Sequence, residues 1–115
     1  MGPAGPAGPA AVVSNDWSAA TRTINSGDTI ADSDTHLYFV VNNSSGPVSI
    51  TMPHANVRGK LIEVVGTSKA NTITVNRQGT DVIDSTYAAG GTNATTDCFV
   101  GLLSEGNGRW KVVYQ

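Results

Sequence analysis

The chain has 115 residues, with seven Lys+Arg against nine Asp+Glu, a net charge of −2 and only 14% charged residues. That length suits one domain, and the charge offers no basic surface to neutralise a run of phosphates, so nucleic acid is not an expected partner. No apolar run is long enough for a membrane-spanning helix and no secretory signal opens the chain, so a soluble protein without membrane insertion is expected.

The first ten residues are Met1 followed by three Gly-Pro-Ala triplets, with glycine at Gly2, Gly5 and Gly8 and proline at Pro3, Pro6 and Pro9. Glycine at every third position lets three polyproline II strands approach one axis where no side chain fits. The phase implies a collagen-like stem made by three chains. Nine such residues would span roughly 28 Å at about 3.1 Å each. A stem this short depends on a trimeric neighbour to hold its strands close. The other reading of these residues is a disordered Pro/Ala/Gly tail.

Residues 11 to 35 read as a transition, in which Val12 and Val13 would begin an inter-chain core and Trp17 stands alone. Short strands are expected at Thr21–Ile24 and Asp28–Ile30, around the turn signal Asn25-Ser26-Gly27. From His36 to Gln115 a β knob is expected. Val, Ile and Thr total 32, against 17 for Leu, Met, Glu, Gln, Lys and Arg together. β-Branched side chains favour strands over helices.

Leu37, Phe39 and Val41 alternate with polar or smaller neighbours, as do Val48, Ile50 and Met52, and then Ile73 and Val75. These are expected half-buried strands. Lys60–Val65, Asp97–Leu103 and Arg109–Tyr114 are apolar on both faces, as in central strands or strands at a subunit contact. Ser104-Glu105-Gly106-Asn107-Gly108 predicts a hairpin between the last two. Asn42–Pro47, Gly66–Ala70 and Tyr87–Thr96 read as loops. The expected fold is all-β, eight to ten short strands in an antiparallel sandwich or barrel-like roll.

The succession Ile50-Thr51-Met52-Pro53, Gly59-Lys60-Leu61-Ile62-Glu63-Val64-Val65, Asn71-Thr72-Ile73-Thr74-Val75, Asp81-Val82-Ile83-Asp84 and Gly108-Arg109-Trp110-Lys111-Val112-Val113 resembles the C-terminal β domains of tailed-phage and prophage fibre proteins. Such domains often follow collagen-like repeats. The resemblance covers residues 36 to 115 and the triplets. It implies a homotrimeric, non-enzymatic protein on the virion surface, a head decoration or fibre or part of a tail fibre, assembled in the host cytoplasm. Capsid or tail proteins would be its partners, and a host-surface glycan or protein a further one. Met1 running straight into three triplets implies either a small decoration protein or a piece of a longer fibre. No catalytic or ligand-binding residues come with the family.

Chemistry-bearing residues are sparse. His36 and His54 have no spacing with Cys or carboxylates that makes a tetrahedral metal site, and Asp28, Asp32 and Asp34 lack the glycine and glutamate of a calcium loop. No metal, cofactor or catalytic residue is therefore expected. Cys98, the single cysteine, is expected as a small buried hydrophobe beside Phe99 in a strand. Asn43-Ser44-Ser45 and Asn93-Ala94-Thr95 match a glycosylation pattern that matters only in a secreted eukaryotic protein. Trp110, Val112 and Tyr114 share a strand face and are expected in the core or at an interface. Trp17 and Tyr87 lie near loops, where they could contact a sugar or protein. Two alternatives remain: a glycan-binding knob of a longer fibre, using Trp17 or Tyr87, and a small polysaccharide hydrolase using Asp81 and Asp84.

Overall fold

The computed structural model describes residues 20–85 and 89–115, which form nine β-strands and no α-helix. In chain order these are β1 (Thr21–Ile24), β2 (Tyr38–Val41), β3 (Val48–Thr51), β4 (Leu61–Gly66), β5 (Ile73–Asn76), β6 (Val82–Asp84), β7 (Asn93–Thr96), β8 (Phe99–Ser104) and β9 (Arg109–Tyr114). A six-stranded sheet has the order β1-β2-β4-β8-β9-β6, and a three-stranded sheet the order β3-β5-β7. From β3 to β8 each strand lies in the sheet opposite to its predecessor. Only the pairs β1–β2 and β8–β9 are both consecutive and adjacent.

This winding changes the expected pairing. Strands β1 and β2, β2 and β4, β3 and β5, and β6 and β9 pair in parallel, while β4–β8, β5–β7 and β8–β9 are antiparallel. The sheets are mixed, which corrects the antiparallel sandwich or roll. Parallel neighbours need a crossover, usually a helix. For β2–β4 and β3–β5 the crossover is a strand of the facing sheet. Tyr38 pairs with Glu63 and Val48 with Ile73, so one full coil takes 25 residues in either sheet. Residues 27–30 begin this coil, with Thr29 bridging Thr51 in parallel and the Ile30 amide donating to the Thr51 carbonyl at 2.9 Å.

Alternation then fills one core from two layers. Ile24, Phe39, Val41, Ile62, Val64, Val100, Leu102, Trp110 and Val112 point inward from the larger sheet, and Val48, Ile50, Ile73, Val75 and Ala94 from the smaller, all at most 6% exposed. Met52 and Ile30 close the same cluster. The Trp110 indole is wholly buried and its Nε1 donates to the Pro53 carbonyl at 3.0 Å, so the largest core residue also fixes the β3–β4 connection. In the β8–β9 hairpin Gly106, Asn107 and Gly108 all have positive φ, at 74°, 56° and 76°. A β-branched residue could not follow that path.

Three local expectations fail, and Asp28–Ile30 is the first: it makes only the single bridge at Thr29 and no strand. Asn93–Thr96 is a strand, not the end of a loop, because its polar Asn and Thr residues sit at the edge of the small sheet with only Ala94 facing the core. Asn43, read within a glycosylation pattern, is fully buried. Its Nδ2 donates to the Asn71 carbonyl at 2.8 Å and its Oδ1 accepts from the Ser68 amide at 3.0 Å, while Asn71 Nδ2 donates back to the Asn43 carbonyl at 2.8 Å. The side chain ties the β2–β3 loop to the β4–β5 loop. Replacing Asn43 with Ala would strand buried backbone groups, so urea unfolding should show a loss of about 1–3 kcal/mol with an unchanged slope.

Candidate functional site

The two sheets present unlike outer faces. On the small sheet, Ser49, Thr51, Thr74, Asn76, Asn93 and Thr95 alternate with the buried positions and none is buried. That face is a Ser/Thr/Asn surface suited to water. The outer positions of β4 and β8 are Leu61, Glu63, Val65, Phe99, Gly101 and Leu103, the residues that alternate with Ile62, Val64, Val100 and Leu102. Glu63 is the only charge among these six.

Strand β9 puts the exposed Lys111 on this face opposite Leu103 and adds to it beyond a bulge. Leu102 pairs with Val112 but Gly101 pairs with Tyr114, leaving Val113 as the extra residue. A one-residue insertion reverses which side the following side chains take. Trp110 and Val112 are therefore in the core as expected, whereas Tyr114 crosses to the outside, where it is 36% exposed. Its ring lies flat against Gly101: a Cβ there would stand 2.3 Å from Tyr114 Cζ. Phe99 packs beside it at 5.9 Å between ring centroids. The phenol donates a hydrogen bond to Glu63 Oε2, and burial, reinforced by that carboxylate, pushes the phenol pKa up to about 12. A depression of about 320 Å³ continues the face, lined by Leu37, Gly59, Lys60, Leu61 and Glu63.

The carboxylates considered for catalysis or calcium are each committed to structural bonds. Asp34 accepts from Arg22 Nε at 3.0 Å and from the His36 amide and Nδ1 at 2.9 and 2.6 Å, and Arg22 also covers the Phe39 ring. Burial works against its ionisation, but the His36 and Arg22 contacts outweigh it and hold the pKa below the usual value. Asp32 accepts from the His54 amide at 2.8 Å and ring at 3.0 Å, mainly the amide keeping its pKa low. Asp28 caps the turn at the Asn25 amide.

Asp84 takes Arg109 Nη1 at 2.5 Å and the Gly90 amide at 2.7 Å; the Arg109 contact, then the amide, lowers its pKa. Asp81 is buried and accepts from the Ala55 amide at 2.8 Å. Neither acid of the hydrolase alternative is left as a free pair. Among the described residues no group of three or more His, Cys, Asp or Glu could hold a metal ion. His36 precedes β2 in a loop, not on the strand, and is turned onto Asp34. Cys98 is half-buried in the β7–β8 turn, because β8 begins at Phe99, and Phe99 itself is 37% exposed.

Val12, Val13, Trp17, Tyr87 and the triplet residues lie outside the described residues. A second depression, about 500 Å³, lies at the β8–β9 hairpin between Arg58, Glu105, Asn107 and Arg109. Among the described residues that line it none is aromatic. The outer face of β4, β8 and β9 is thus the most distinctive surface described. Two-sided apolarity of those three segments was visible in the sequence; the bulge that adds Tyr114 to the face was not. No family model, no curated protein and no solved structure matches the chain.

Two outcomes follow from these contacts. Gly101→Ala should drive the Tyr114 ring off Glu63, so that phenolate absorbance shows one tyrosine titrating below about 12, nearer the ordinary value of about 10. Asp84 has a lowered folded pKa, so its contribution to stability is present above the unfolded value and disappears as pH falls through the folded one. Asp84→Asn should therefore unfold at lower urea than wild type at neutral pH. The gap should narrow as pH falls and close below the folded value, where both carry a neutral group.

Proposed function

We propose that the chain is a non-enzymatic structural protein of a tailed-phage particle, a homotrimer carried on the virion surface as a head decoration or fibre or as part of a tail fibre. Its partners are two further copies of itself and a capsid or tail protein. The observation that carries this reading is the unbroken Gly2, Gly5, Gly8 phase with proline after every glycine. Such a phase has a physical use only when three strands share an axis. Three triplets are too few to hold a triple helix alone, so the β domain must gather the chains.

The domain's chemistry is consistent with that role. Asp34 and Asp84 are engaged by Arg22 and Arg109, and the most distinctive described surface is an apolar patch. A particle with many equivalent three-fold positions multiplies weak contacts, so a small trimer can attach usefully without high affinity at each one.

Sedimentation equilibrium on the purified full chain at micromolar concentration should give three times the mass of one chain; a stable monomer would overturn the proposal. Gly5→Leu should weaken the triple-helical circular dichroism signal of the stem while the assembly stays trimeric. Loss of the trimer along with the stem signal would contradict this division of labour.

A further inference from the structure

We infer that the outer face of β4, β8 and β9 is the surface on which copies of this chain meet around the three-fold axis. The inference rests on the trimeric reading above and adds to it the place of contact. Leu61 is 36%, Phe99 37%, Tyr114 36% and Val113 45% exposed. Single exposed apolar residues are ordinary, but these are contiguous: Leu61 pairs with Leu103, Gly101 with Tyr114, and the Phe99 ring packs at a tilt beside Tyr114, with Lys111 opposite Leu103 at the border. A contiguous apolar patch marks a surface meant to be covered. The opposite outer face, of Ser, Thr and Asn, marks the side meant for water.

What covers the patch follows from where the chain enters. The 19 residues that carry the triplets join the described structure at Ala20, whose carbonyl accepts from the Leu37 amide at 2.9 Å. Leu37 lines the same depression as Leu61 and Glu63. The stem segment therefore leaves from the margin of the apolar face. Three stems drawn to one axis bring three such margins together, and the patches behind them are the surfaces able to close against one another. The one carboxylate in the patch, Glu63, already accepts from Tyr114, so it enters the contact with a partner in place.

A contact around a three-fold axis is heterologous, each copy meeting the next through different residues. One disruptive substitution on each of two strands therefore removes every copy's contribution. The test is sedimentation equilibrium on the full chain carrying Leu61→Glu with Phe99→Glu, beside wild type and Thr74→Glu on the polar face. Near-UV circular dichroism of the buried Trp110 reports whether the domain is folded.

The expected result is a trimeric wild type and a trimeric Thr74→Glu, with the double variant folded and its mass reduced to about a third. A folded double variant that remains trimeric overturns the contact face and leaves the trimer standing. A monomeric wild type overturns the trimer and the face with it. If the double variant loses its Trp110 signal, Val113→Glu, at the bulge outside the strand ladder, is read by the same two outcomes.

Discussion

The structure depends on one constraint: every strand from β2 to β7 is followed by a strand of the opposite sheet, and both sheets must empty their inward side chains into the same core. Val48, Ile50, Ile73 and Val75 on one side meet Phe39, Val41, Ile62 and Val64 on the other, all at most 4% exposed. A shift of one residue in any of these strands would turn its apolar set outward. The common 25-residue step from Tyr38 to Glu63 and from Val48 to Ile73 keeps both layers in phase. Where the winding ends, β8 and β9 fold back as a hairpin across the last coil, and Trp110 locks that hairpin to Pro53.

That arrangement leaves a polar outside on the small sheet and, on the large one, a patch of apolar side chains from β4, β8 and the end of β9, bordered by Lys111. Polar side chains tie distant parts of the chain together: Asp34 holds Arg22 across the β1–β2 connection, Asp84 of β6 holds Arg109 of β9, and Asn43 joins the β2–β3 loop to Asn71 in the β4–β5 loop. In the proposed trimer, the apolar face is the surface of association and the Gly-Pro-Ala triplets set the number of chains. Stem and face would then support each other, since strands tethered near one axis raise the effective concentration of the faces beside them.

Much of this was legible in the residues. Period-two alternation located β2, β3 and β5 and their buried sides, and Gly106-Asn107-Gly108 located the hairpin, because side-chain direction and positive φ are local properties. Parallel pairing was not legible. Nothing in Val48–Thr51 tells whether its neighbour is the next strand or the one after it, and turn signals suggested hairpins where the chain crosses between sheets. The Val113 bulge was equally hidden, since Arg109–Tyr114 alternates well by itself and only its pairing with β8 inserts the extra residue. Asn93–Thr96 looked like a loop because an edge strand with one buried side chain carries the composition of one.

A cryo-electron microscopy or crystal structure of the full-length assembly tests the central claim most directly. The account predicts three copies with the Leu61, Phe99 and Tyr114 surfaces turned toward the axis and the Ser49, Thr74 and Asn76 surfaces outward, below a stem of three wound Gly-Pro-Ala strands. An assembly in which Phe99 and Tyr114 face solvent while the copies touch through the small sheet would contradict it.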